Sequence, residues 1–284
     1  MPGHMSPDPI LISKLVLWIA VIAFGTTLLV RRKMSARVRL AFVVGGVMVF
    51  GVAYGVLTRG GLNPNPVSAV RNMLTPLVVK HQLVPFSIIM LVVLLLAVWV
   101  SNKSICAWGC QVGLLQDWIH RIPAKKWNPR PWVSNSVRVA AFVTLVTGLA
   151  VWGLDWMGVI DPFELFSVNW TLPVVGFSIA MLIASALVYR PWCRFLCPFG
   201  LLGWLVEQVS LFRPRIDRDA CKNCMLCVKA CPGQAMADIY ADRSMRADCF
   251  ACGACIEACP QKGALGWLAR TPRGTSSGTN QKCG

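Results

Sequence analysis

Cys221, Cys224, Cys227 and Cys231-Pro232 return 28 residues later as Cys249, Cys252, Cys255 and Cys259-Pro260. This C-x2-C-x2-C-x3-C-P run is the ligand pattern of bacterial-type 4Fe-4S clusters. Its first three thiolates curl around one cube, and the fourth, placed after a turn, reaches the other cube. It predicts two 4Fe-4S clusters, one on Cys221, Cys224, Cys227 and Cys259, the other on Cys249, Cys252, Cys255 and Cys231. Structural zinc is the competing chemistry, because paired C-x2-C elements also build tetrahedral sites. A whole run of four thiolates, repeated, with no histidine nearby, is more than a zinc ribbon uses. A disulfide framework fits less well, since the segment is short, basic and read as cytosolic, where thiols stay reduced.

A second, weaker repeat lies upstream, where Cys106-x3-Cys110-Gln-Val-Gly-Leu-Leu matches Cys193-x3-Cys197-Pro-Phe-Gly-Leu-Leu at an offset of 87 residues. Cysteines four apart on one helix share a face, so four thiols are expected to converge. Their sharp reading is a redox or metal relay between a membrane quinone and the iron–sulfur module. The plain reading is packing, since free cysteine is often fully buried.

The elements that position these thiols are membrane helices. The chain is 56% hydrophobic and only 14% charged, against about 25% charged in an ordinary soluble domain. Apolar segments long enough for a bilayer, which takes roughly 17 to 25 residues, are Leu11 to Val30, Val38 to Leu57, Leu83 to Val100, Val139 to Met157 and Pro173 to Tyr189. The predicted fold is an α-helical membrane bundle of about five spans with a small α+β ferredoxin domain. It divides into a membrane domain 1–212, a two-cluster domain 213–269 and a disordered tail 270–284, whose Cys283 is left out of the ligand set. The ferredoxin part is too small to fold on an apolar core alone, and clusters would supply the missing cross-links. The stretches Val112 to Ile122 and Phe199 to Phe212 read as interfacial helices lying along the membrane surface, whose plain role is to cap the bundle.

The first span ends in Arg31-Arg32-Lys33 with no cleavage site, which reads as a retained anchor. On that orientation 24 of the 28 basic residues fall on one side, the cytosolic side by the positive-inside rule. The N-terminus is then expected outside, in the periplasm, with the ferredoxin domain in the cytosol at the bacterial inner membrane. Topology accounts for the net charge of +16, so no nucleic-acid partner is expected.

Quinol oxidation would need a proton acceptor. Asp161 and Glu164 are the carboxylates of the second exterior loop, although Asp161-Pro162 is also an ordinary turn starter. His81 and His120 read as interfacial. Haem b would need paired inward histidines within the spans, which the sequence lacks, and no catalytic residue is assigned.

Paired C-x3-C motifs after membrane spans, followed by two ferredoxin runs, resemble the NapH/MauN family of membrane ferredoxins and the C-terminal half of the regulator NosR, over Val38 to Ala269. The resemblance implies four spans, two cytosolic 4Fe-4S clusters on the eight cysteines above, and work as a quinol dehydrogenase component with a partner ferredoxin. Gln111 stands where the family motif has the proline retained as Pro198, and an extra N-terminal span is present. The expected function is therefore electron exchange with the quinone pool and delivery to a partner ferredoxin or oxidoreductase subunit. An electron-donating maturation factor and a redox-sensing membrane regulator are the alternatives.

Overall fold

A computed structural model describes residues 9–57, 65–167, 170–261 and 263–269. The expected disordered tail and Cys283 lie outside the described residues. Among the described residues three helical runs are long and apolar enough to cross a bilayer. The first is α1 (Pro9–Val30). The second is α2 (Ala36–Gly46), which continues through a π-helical stretch (Val47–Ala53) into α3 (Tyr54–Leu57).

The third run is α8 (Pro131–Trp152), which begins and ends earlier than the expected span Val139 to Met157. Pro131 supplies the fixed φ of a first helical residue. Gly153, at φ 63°, closes the helix with its N–H on the carbonyls of Gly148 and Leu149. The remaining expected spans are the apolar helices α5 (Pro85–Ser101) and α10 (Leu172–Leu187), of 17 and 16 residues. At 1.5 Å per residue each is about 25 Å long, shorter than the roughly 30 Å of hydrocarbon.

The loop between the second and third expected spans contains a helix that the sequence reading passed over, α4 (Pro66–Lys80). Its start is built by a reciprocal cap, in which Ser68 N–H donates to Asn65 Oδ1 at 2.6 Å and Asn65 N–H donates to Ser68 Oγ at 3.0 Å. Pro66 occupies the first helical position, and Val67, Ala69, Val70 and Leu74 are buried against α5 and α8. His81 ends α4 at φ 50° and is exposed, so it acts as a helix terminator.

The two segments read as surface helices that cap the bundle pack against it with one face buried. After the short α6 (Ser104–Trp108), α7 (Gln111–Ile119) buries Gln111, Val112, Gly113, Leu114 and Gln116 against α2, its π-helical continuation and α10. Later, α11 (Pro198–Glu207) follows a π-helical turn (Trp192–Leu196) and packs on α4, α5 and α8. Between α8 and α10 lie α9 (Trp156–Val159) and a 3-10 turn (Pro162–Leu165). Amphipathicity had suggested a covered apolar face for α7 and α11, and each sets that face on the span of the opposite repeat. That exchange ties the two repeats into one unit.

The C-terminal part is α+β. Strand β1 (Phe212–Ile216) pairs antiparallel with β2 (Leu265–Ala269), in register from Phe212↔Ala269 to Ile216↔Leu265. Between them come α12 (Leu226–Lys229), α13 (Ala235–Tyr240) and α14 (Ala254–Ala258). Its core of Met236, Ala251, Ile256, Leu265 and Trp267 continues without a break into Leu29, Met34, Ala107 and Trp108 of the membrane part. A module too small for a core of its own thus borrows apolar area from the helices it caps.

Candidate functional site

Each ferredoxin run turns through two left-handed residues at equivalent places. They are Asn223 and Met225 after Cys221, and Ala251 and Gly253 after Cys249, with φ of 54°, 58°, 49° and 77°. Alternation of right- and left-handed residues points successive backbone N–H groups into one concavity, the arrangement that suits anions and iron–sulfur clusters. Cys231, Cys249, Cys252 and Cys255 line a single cavity together with Gly233, Phe250 and Gly253. Cys227 lies within electrostatic range of Cys221 and Cys259, and Cys255 within range of Cys227, so the two sets adjoin. Cys224 is exposed. Among the described residues no group of His, Cys, Asp or Glu closes on a single metal-ion position. A tetrahedral zinc would hold its sulfurs within about 4 Å of one another, given Zn–S bonds of about 2.3 Å. Four thiolates for each of two sites are the donor set that 4Fe-4S clusters take.

Beneath the second set lies a buried charged seam that sequence reasoning missed. Lys103, Arg138, Glu207 and Asp248 are all nearly inaccessible to solvent. Asp248, directly before Cys249, accepts from Lys103 and, at 3.0 Å, from Arg138. Both cations also donate to the Gly200 carbonyl at 3.1 Å. Glu207 Oε1 accepts from the Cys249 N–H at 3.1 Å. Burial opposes ionisation of Asp248, but Lys103 and Arg138 outweigh it and hold the carboxyl down at about 2. Burial pushes Glu207 up to about 8, against the pull of Lys103. The visible signal was a charge opening an apolar span, Arg138, and another closing one, Lys103. Partners 110 and 145 residues away carry no sequence mark.

Cys106, Cys110, Cys193 and Cys197 are all free and buried. Every one of them lies within electrostatic range of the other three. The convergence expected from the repeat is present, but the expected single helix is not. In each copy the first cysteine sits in a short helical turn, and the second is extended and caps the next helix. Cys110 Sγ accepts from the Gly113 N–H at 3.4 Å. The second helix can start so close only because the third residue after each capping cysteine lacks a side chain. A Cβ on Gly113 would sit 2.7 Å from the Cys106 carbonyl, and one on Gly200 would overlap the Cys193 carbonyl.

Residues on both sides connect these thiols to the rest. Toward the ferredoxin module, Phe250 stands between Cys249 and Cys252 and meets Tyr189 edge-on, with ring centroids 5.6 Å apart. Lys103 and Arg190 lie over the Phe250 ring at 5.4 and 5.1 Å. Arg190 also donates to the Cys106 carbonyl, and Tyr189 to Asp117 at 2.7 Å. On the opposite side Asp161 is buried and lies within electrostatic range of Cys197. It accepts from Phe163 N–H at 3.1 Å and pairs with Arg71 at 3.2 Å. Burial pushes its carboxyl up to about 6, with Arg71 pulling the other way. Glu164 accepts from Ser167 at 2.5 Å and lies within electrostatic range of Asp161. His120 shares a hydrogen bond with the Ser185 carbonyl at 2.9 Å and fixes the end of α7.

Family models recognise residues 213–261 as a 4Fe-4S dicluster domain, and residues 83–130 and 170–218 as two copies of a 4Fe-4S binding domain. Among curated proteins, the Ferredoxin-type protein NapH of Haemophilus influenzae is 29% identical over 50% of this chain and 51% of its own length. The Putative electron transport protein YccM of Escherichia coli is 27% identical over 54% and 47%. The Methylamine utilization ferredoxin-type protein MauN of Paracoccus denitrificans is 26% identical over 47% and 49%. The chain spans about half the length of these relatives. No solved structure matches.

Proposed function

The chain belongs to the NapH/MauN-type family of ferredoxin-like membrane proteins, and from that premise we propose that it oxidises quinol and delivers the electrons to a partner redox protein. The observation that carries this reading is that the four bundle thiols share one buried cluster with Tyr189 and Phe250, and that these two rings also line the cavity of Cys231, Cys249, Cys252 and Cys255. The eight ferredoxin cysteines would hold two 4Fe-4S clusters, and these, when bound, supply one-electron chemistry. Quinol loses two protons and two electrons on becoming quinone; the electrons would pass one at a time to the clusters and on to a partner ferredoxin or oxidoreductase subunit, one proton would go to Asp161 and the other to water on the outer side. The chain's own residues position and insulate that path, and Asp161 takes a proton at its carboxylate. The ferredoxin domain, 213–269, lies on the cytosolic side of a bacterial inner membrane, and the N-terminus and Asp161 lie on the outer side.

Steady-state oxidation of a short-chain quinol by the full-length protein, with an artificial acceptor, tests the activity; absence of turnover in cluster-loaded protein would refute it. Asp161 accepts a proton only as the carboxylate, so the rate rises with pH through about 6. Asp161→Asn abolishes that inflection and lowers the rate by about 100-fold, the smaller end of acid–base contributions. A rate profile unchanged in the variant removes Asp161 from this role. A cytosol-active reporter fused after Leu268 gives signal if the orientation is right, and silence reverses it.

A further inference from the structure

We propose that Cys106, Cys110, Cys193 and Cys197 hold a third iron–sulfur cluster inside the helical bundle. The inference rests on the electron-transfer reading above and names the cofactor of its relay. Four thiolates are the complement of a 2Fe-2S or 4Fe-4S cluster, and the fold packs four free, buried thiols from two distant segments into one cluster of buried residues. Each of the matched segments 83–130 and 170–218 contains only two cysteines. Neither can complete a tetrathiolate site alone, and the exchange of α7 and α11 between the repeats is what pairs them.

The surroundings are built for an anion. Two helix N-termini, those of α7 and α11, begin at Cys110 and Cys197, and the Gly113 N–H donates to the Cys110 sulfur at 3.4 Å. Helix N-termini stabilise negative charge. Three cations lie in range of the thiols: Lys103 near Cys106, Arg190 near Cys193, and Lys14 near Cys110. The nearby acids are already engaged, Asp248 by Lys103 and Arg138 and Asp161 by Arg71.

Lys14 is the second, independent observation. It sits within α1 with 1% of its surface accessible, and its ammonium has no hydrogen-bond partner among the described residues. The rings of Trp18 and Tyr54 lie 5.4 and 5.7 Å away. A lysine in a membrane helix is costly and is retained for a charge it faces. Four neutral thiols provide none, whereas four thiolates around a doubly positive cluster core leave a dianion. Cysteines packed as small apolar residues would need neither the helix N-termini nor the lysine. Zinc is the competing occupant of four thiolates, and the metal count below separates it from a cluster.

The test uses full-length protein isolated anaerobically, with iron and acid-labile sulfide counted per chain and paramagnetic signals recorded after reduction. Wild type is expected to exceed the roughly eight irons of two cubanes. Cys110→Ala combined with Cys197→Ala should return it to about eight with the ferredoxin signals intact. Lys14→Met should keep the iron and move one midpoint potential to a more negative value, because the added electron loses a facing cation. This single change needs no loss of ligands and remains informative if the double variant does not fold. Wild type with about eight irons, with the four bundle thiols alkylated, disulfide-linked or holding zinc, overturns the third cluster and leaves the proposed function standing. Wild type without iron overturns the proposed function itself.

Discussion

In the ferredoxin module thiols are gathered locally. Within seven residues the chain passes two left-handed positions, at Asn223 and Met225 or at Ala251 and Gly253, and three cysteines of a run turn toward one concavity. In the membrane bundle the two pairs stand 87 residues apart, and only the packing of α7 on α10 and of α11 on α5 unites them. The first arrangement leaves several sulfurs partly accessible; the second buries all four. Local curling makes a site that tolerates water at its rim, while helix exchange makes a dry one whose geometry depends on the whole bundle.

That contrast is broken most directly at the ligands. Cys252→Ser and Cys224→Ser should each remove about four irons, one cluster's worth, from the isolated protein. Unchanged iron in both would refute the assignment. The seam joining the two regions comes next. Asp248→Ala leaves Lys103 and Arg138 buried without their shared carboxylate, and loss of one partner in such a group costs about 3–5 kcal/mol. Thermal unfolding in detergent should show it, and a variant as stable as wild type would mean the seam does not hold the module in place.

Gly200→Ala should destabilise the bundle by about 1–3 kcal/mol, typical of overpacking, because the new methyl meets the Cys193 carbonyl. Gly113→Ala meets the Cys106 carbonyl at 2.7 Å and should behave alike; equal effects mark the repeats as equivalent, and a neutral outcome at either would separate them. The smallest effect is expected at the rim of the module. Glu257 there pairs with Arg39 at 3.2 Å and accepts from the Ala36 N–H at 2.8 Å. This pair is partly exposed, so Glu257→Gln should cost under about 1 kcal/mol, and less still in high salt. A large loss at high salt would show that docking depends on this contact.

Legibility in the sequence followed the range of the interaction. The cysteine runs could be read because cluster ligation constrains residues three or four apart. Spans could be read from apolar length, though Pro131 and Gly153 moved the ends of α8. The helix α4 was passed over because its apolar stripe is short and interrupted by Arg71 and Lys80, and its start depends on the Asn65–Ser68 cap. For α7 and α11 amphipathicity could be read but their partner helices could not, since a hydrophobic face states that something apolar covers it and not which element that is.

By itself the chain determined the chemistry on offer: eight cysteines in two ferredoxin runs, two further pairs, and apolar segments flanked by basic loops. Tertiary structure alone decided that the pairs meet, that Lys103 and Arg138 reach Asp248 beside a ligand, and that Lys14 faces Cys110. The physical reason is that thiol spacing is imposed by covalent reach over a few residues. Pairing across 87 to 145 residues is imposed by packing, through the energy of burying charge and apolar surface, which no short stretch of sequence records.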